Sequence, residues 1–149
     1  MLSKAAIKIL GILLVLFSAT LIPPIAVSWF TGDGGMMPFV VALALNLALG
    51  ALCYLPLRRA PGDLRIRDGF VVVVLFWTVL SAMGSVPFIV LREPAINWLD
   101  ALFESMSGLT TTGATILTGI DDLPPSIRYY RQQLQWLGGM GIVVLAVAV

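Results

Sequence analysis

Charged side chains are few along this chain, and the apolar stretches between them are long. Ile9 to Gly32, Gly34 to Leu57 and Gly69 to Leu91 carry no charge at all, and a fourth uncharged stretch runs from Gln132 to the last residue, Val149. A helix needs about 20 mainly apolar residues to cross a bilayer, so the first three predict spanning helices. The fourth predicts a spanning helix that continues past Val149, which would make the chain a truncated piece of something longer. Lys4 and Lys8 ahead of the first stretch give it the look of a secretion signal. It is too long for a signal core, however, and no small-x-small cleavage site precedes Pro23-Pro24, so it is read as a retained helix that the two prolines end or kink near the outer interface.

The segment from Arg92 to Arg131 breaks this rhythm. Within it Asn97 is placed to cap a helix from about Trp98 to Leu109, with Asp100 in the first turn suiting the positive end of the helix dipole. Such a helix reaches only about 18 Å, against a hydrocarbon thickness of about 30 Å, so it can dip into a membrane but not cross it. The chain must then turn back at Thr110-Thr111-Thr112-Gly113-Ala114-Thr115. Irregular backbone at membrane depth is tolerated only where it is buried in protein or lines a wet cavity. A pore meets that condition: threonines favour extended backbone and add hydroxyls, and Gly113 permits dihedrals that bring successive carbonyls to one side, where they can replace a cation's water shell. A threonine run closed by glycine is equally what an ordinary loop looks like. What favours the filter is the order of spanning helix, short helix, Thr/Gly turn, acidic loop with Pro124-Pro125 and second spanning helix.

Composition sets the solvent. With 59% hydrophobic residues, 11% charged residues and a mean hydropathy of +0.99, this is an integral membrane protein. A net charge of +1 offers no surface for nucleic acid, and the absence of histidine removes imidazole from acid–base or metal chemistry. No acidic pair within a span, metal-ligand cluster or serine dyad suggests an enzyme, and no cofactor is expected. Cys53 is the only cysteine and is read as helix packing. Lys4, Lys8, Arg58, Arg59, Arg65 and Arg67 fall on one side if the helices alternate, which puts the amino terminus and the Arg58 to Asp68 loop in the cytoplasm. Asp33, Glu93, Asp100, Glu104, Asp121 and Asp122 fall on the other side, where they either attract cations or simply face water.

Two stretches resemble a known family. Asp100-Ala101-Leu102-Phe103-Glu104-Ser105-Met106-Ser107-Gly108-Leu109-Thr110-Thr111-Thr112-Gly113-Ala114-Thr115, followed by Gln135-Trp136-Leu137-Gly138-Gly139-Met140-Gly141-Ile142, is similar to the first pore repeat of the TrkH/TrkG potassium-uptake proteins, within the TrkH/KtrB/HKT superfamily. The resemblance covers the whole chain. It implies an all-α membrane protein organised as residues 1–68, an amino-terminal transmembrane helix pair and cytoplasmic loop, and residues 69–149, a first membrane–pore–membrane repeat with a re-entrant pore helix and filter loop. It further implies potassium uptake across the bacterial inner membrane by four such repeats around one pore. The carbonyls of Thr111, Thr112, Gly113 and Ala114 are the carried-over donors, with Thr110 at the margin, and potassium is placed at Thr111, Thr112 and Gly113. Partners implied are the remaining repeats, a second copy in a homodimer, the cytoplasmic nucleotide-binding regulator TrkA and membrane lipids.

Several residues keep two readings. Asp100 and Glu104 lie four apart on one helical face, where they either pair with arginine or filter backbone or face solvent. Arg128 and Arg131 sit near headgroups or pair with Asp121 and Asp122. Gly138, Gly139 and Gly141 either let the last helix approach the short one closely or merely loosen its start. Trp29, Trp77, Trp98 and Trp136 read as interface anchors or packing groups. A non-conducting assembly subunit, in which the Thr/Gly turn only connects helices, is the competing function.

Overall fold

The computed structural model describes residues 4–59, 66–92 and 94–148; Glu93 and Arg65 of the charge pattern, and Val149, lie outside them. The described residues form helices and no strand: α1 Lys4–Ala19, α2 Ile22–Thr31, α3 Met36–Tyr54, α4 Ile66–Gly84, α5 Val86–Val90, α6 Trp98–Leu109 and α7 Pro125–Ala148, with short 3-10 turns at Leu55–Leu57 and Ile120–Asp122. Among the described residues three segments, Lys4–Thr31, Met36–Leu57 and Gly69–Val90, are long and apolar enough to cross a membrane. They match the three predicted spans. Their outward faces are oily: Leu52, Phe70 and Val74 are 61–73% exposed, as expected where lipid rather than water is the neighbour.

The first and third spans are broken, and sequence chemistry explains both breaks. Pro23 and Pro24 sit in the first turn of α2, where a missing N–H is tolerated, but Pro24 cannot donate back to the carbonyl of Thr20. That carbonyl is taken instead by the Gln133 amide of α7, at 2.5 Å. The prolines therefore kink the first span, as expected. In the third span Pro87 opens α5, Phe88 N–H turns to the carbonyl of Ser85 (3.0 Å), and the carbonyl of Gly84 receives the Tyr130 hydroxyl at 2.9 Å. Gln133 and Tyr130 are one turn apart on α7, so a single helix face repairs both kinks.

Tyr130 is also the centre of the core. Fully buried, it stands edge-on to Phe39 of α3 (centroids 5.3 Å apart) and tilted against Phe88 of α5 (5.5 Å). Leu80, Ala101, Leu109, Ile127 and Leu134 continue the same cluster. The amino-terminal hairpin is held by its own close crossing: a Cβ on Gly11 of α1 would stand 2.9 Å from the Gly50 carbonyl of α3. At one end of the hairpin Lys8 donates to the Arg58 carbonyl (3.2 Å), so these two basic residues lie together.

Two expectations are corrected here. The last helix begins at Pro125, not at Gln132, because Arg128 and Arg131 interrupt the apolar run without interrupting the helix. Arg131, moreover, does not pair with Asp121 or Asp122, which remain exposed; it turns inward to Glu104. Of the remaining acids, Asp33 is engaged rather than free. It accepts from the Ser28 hydroxyl (2.5 Å), Gly35 N–H (2.8 Å) and Ser126 N–H (2.8 Å), tying the turn between α2 and α3 to the first residues of α7. Burial pushes its carboxyl upward, but the hydrogen bonds from Ser28, Ser126 and Gly35 outweigh this and hold it at about 2.

Candidate functional site

Asn97 starts α6 as expected: its side-chain oxygen accepts from the N–H groups of Leu99 (2.7 Å) and Asp100 (3.2 Å), while its amide donates to the Asp100 carboxylate (3.0 Å). The helix runs twelve residues and packs between α4 and α7. Its carboxyl end is brought against α7 by two glycines. A Cβ on Gly138 would lie 1.9 Å from the Leu109 carbonyl oxygen, and one on Gly108 would lie 3.0 Å from Leu134 Cβ. Gly138 therefore makes the close approach expected of it, whereas a Cβ on Gly139 or Gly141 would meet only ordinary contacts.

Beyond Leu109 the chain reverses. Thr111 N–H bonds the Gly108 carbonyl (2.9 Å), and the N–H groups of Thr112 (3.0 Å) and Gly113 (3.4 Å) converge on the Ser107 carbonyl. In a trans peptide the C=O points opposite to the N–H of the same unit, so the carbonyls of Thr110, Thr111 and Thr112 are all directed away from the end of α6. Turning the chain this way puts Gly113 at φ +73° and Thr111 at φ +58°, the one non-glycine with positive φ among the described residues. A β-branched residue in that region is strained by about 1–3 kcal/mol, a cost met at sites where surrounding structure dictates the backbone.

The five carbonyls are not equivalent. Thr110 O receives the Thr111 hydroxyl (2.7 Å) and Ala114 O receives the Ser107 hydroxyl (2.6 Å). Those of Thr111, Thr112 and Gly113 accept no hydrogen bond among the described residues. Residues 111 to 116 are exposed along this edge. The dipole of α6 places its negative end here as well, so the segment favours positive charge.

Glu104 fastens the returning strand. One carboxylate oxygen accepts from the Thr115 hydroxyl (2.6 Å) and Ile116 N–H (2.9 Å), and the other receives Nε (3.1 Å) and Nη2 (2.9 Å) of Arg131. Its side chain is 2% exposed, and that of Arg131 is 13% exposed. A polar cavity of about 20 Å³, large enough for one water, lies between Glu104, Ser107, Ala114, Arg131 and Gln135. Of the two sequence readings of Glu104, the solvated face is not realised: it pairs with arginine and with backbone just beyond the threonine turn; Asp100 instead belongs to the helix cap. Ser107 and the Arg131 partnership were missed from sequence. The available signal was that an acid and a base near a membrane must find each other.

Comparison with known proteins places this arrangement in the class of membrane cation-transport proteins. A family model described as TrkH, cation transport protein, matches residues 35–149. The Trk system potassium uptake protein TrkH of Halomonas elongata is 57% identical over 146 residues, covering 98% of this chain and 30% of that protein. TrkH of Escherichia coli K12 is 50% identical over the same shares. The crystal structure of the potassium transporter TrkH from Vibrio parahaemolyticus superposes with a TM-score of 0.94 at 52% identity, covering 99% of this chain and 32% of that one. The chain belongs to the TrkH family. It spans about 30% of the length of the curated relatives it matches.

Proposed function

We propose that this chain contributes one wall of a potassium-selective filter, as part of a longer uptake protein of the inner membrane. The observation that carries the reading is the reversal after α6. Two successive N–H groups share the Ser107 carbonyl, and the oxygens of Thr111, Thr112 and Gly113 are left without partners among the described residues. Those three are the proposed potassium ligands, with Thr110 and Ala114, each already receiving a hydroxyl, at the margins. The relatives' designation as potassium-uptake proteins supplies the ion.

In this reading residues 1–68 form an amino-terminal pair and loop, and 69–149 the first membrane–pore–membrane repeat, with α6 re-entrant from the outer face and the amino terminus in the cytoplasm. The remaining repeats complete the ring, since one strand cannot surround an ion. Potassium sheds water onto backbone oxygens and moves inward down the membrane potential, gaining about 2.3 kcal/mol per 100 mV. A homodimer and TrkA as cytoplasmic regulator follow from family membership as further parts of the proposal. No catalytic step or cofactor is invoked.

The test is rescue of potassium-limited growth and potassium uptake by the full-length protein with Gly113 intact or replaced. A side chain at φ +73° is strained whatever space surrounds it. Gly113→Asp is expected to abolish uptake, and Gly113→Ser to lower potassium-over-sodium discrimination. Wild-type selectivity in both variants would favour a turn that merely connects helices.

A further inference from the structure

Glu104 is buried, charged and bonded at both oxygens, yet no part of the ion path as described requires its carboxylate to touch potassium. We propose that Glu104 is a positioning residue for the filter wall, clamped by Arg131 so that it holds the outgoing strand at Thr115 and Ile116. The proposal rests on the filter reading above and deepens it.

The geometry divides the strand into held and free parts. On the far edge of the peptide planes that carry the Thr111 and Thr112 carbonyls, the Ser107 carbonyl collects the N–H groups of Thr112 and Gly113; after the three unpartnered carbonyls, the Ser107 hydroxyl holds Ala114 O and one Glu104 oxygen holds Thr115 and Ile116. Glu104 and Ser107 are three residues apart, hence on one face of α6, and together they form a rail against which the segment is pinned along its ligand positions and immediately after them. Thr115 and Ile116 are themselves exposed; the acceptor they share is not, being 4% exposed and withdrawn from bulk water.

Arg131 gives the clamp its orientation. Its Nε and Nη2 both reach the second Glu104 oxygen, which fixes the carboxylate about its terminal torsion and leaves the first oxygen aimed at the strand. Because Arg131 lies on α7, the strand is pinned through Glu104 to two helices rather than one. A wall held this way keeps its oxygens at a set separation, and one free to relax adapts to a smaller ion.

The experiment measures rubidium and sodium flux through the full-length protein in proteoliposomes, alongside Gly113→Ser. Thr115→Val keeps the ion pair and the side-chain shape but removes the hydroxyl that donates to Glu104 and accepts from Leu117 N–H (3.1 Å). It is expected to lower the rubidium-to-sodium ratio about threefold to tenfold, a fraction of what outright loss of a hydrogen bond to a charged group costs, because the ratio reads only the part of that loss that differs between the two ions. Thr115→Ser, which restores the hydroxyl, is expected to recover the ratio, and Glu104→Gln to lower it further. If Gly113→Ser shifts the ratio while Thr115→Val and Glu104→Gln leave it unchanged, the positioning role is overturned and the filter stands. If none of the three shifts it, the filter reading itself fails. Should Glu104→Gln not reach the membrane, Thr115→Val against Thr115→Ser decides the matter.

Discussion

A single methyl group at Gly138 tests the packing that supports the proposed filter. Built on the backbone, it would stand 1.9 Å from the Leu109 carbonyl oxygen, 2.6 Å from its carbon and 2.9 Å from its Cα, short of the 3.4 Å at which ordinary contact begins by about 1.5 Å. All three neighbours are backbone, so no rotamer change relieves the overlap, and α7 must move away from α6. Overpacking of this kind costs about 1–3 kcal/mol, partly offset by about 1 kcal/mol of helix propensity gained when glycine becomes alanine. Gly139 is the internal control. A methyl there meets only Thr111 Cγ2 at 3.8 Å, so Gly139→Ala keeps the propensity gain without the clash. The two variants should therefore differ by about 2 kcal/mol in stability, with only Gly138→Ala displacing Leu109 and the strand that hangs from it. Thermal unfolding of the purified full-length protein, followed by fluorescence-detected size exclusion, measures the first effect, and potassium uptake the second. Equal melting and equal uptake for the two variants would refute the reasoning.

Asn97→Ala removes the acceptor for two N–H groups at the start of α6 and is expected to cost about 1 kcal/mol, read as a lower melting temperature, with Asn97→Asp close to wild type. Asp33 has a folded-state value of about 2, below its ordinary 3.8, so its contribution to stability is fully present above 3.8 and is lost as pH falls from there towards 2. Melting temperatures across that window should fall more steeply for the wild type than for Asp33→Asn, whose side chain does not titrate.

What was legible in the sequence, and what was not, follows from the range of the interactions concerned. The three spans were readable because hydropathy is a local sum, and the kink at Pro23-Pro24 because proline acts on its own helix. The cap at Asn97 and the extent of α6 were readable for the same reason: cap, first turn and the terminating threonine run are neighbours in sequence. Arg131 misled because a charge ends an apolar run on paper, while in the fold its guanidinium meets a carboxylate 27 residues earlier and the helix passes through undisturbed. Asp33 capping the start of α7 from 93 residues away, and Tyr130 and Gln133 mending proline breaks in two other spans, are of the same kind. No periodicity encodes them, although the orphaned carbonyls that prolines create do announce that some distant donor is needed. At the candidate site the threonines and Gly113 stood out by composition. The role of Ser107 depended on the direction of two peptide planes, which the sequence does not display.

Anomalous diffraction from crystals of the full-length protein soaked in rubidium or thallium addresses the central claim most directly. The account predicts a peak on the pore axis within coordination distance of the carbonyl oxygens of Thr111, Thr112 and Gly113. A clear peak elsewhere in the pore, with none facing those three oxygens, would contradict it.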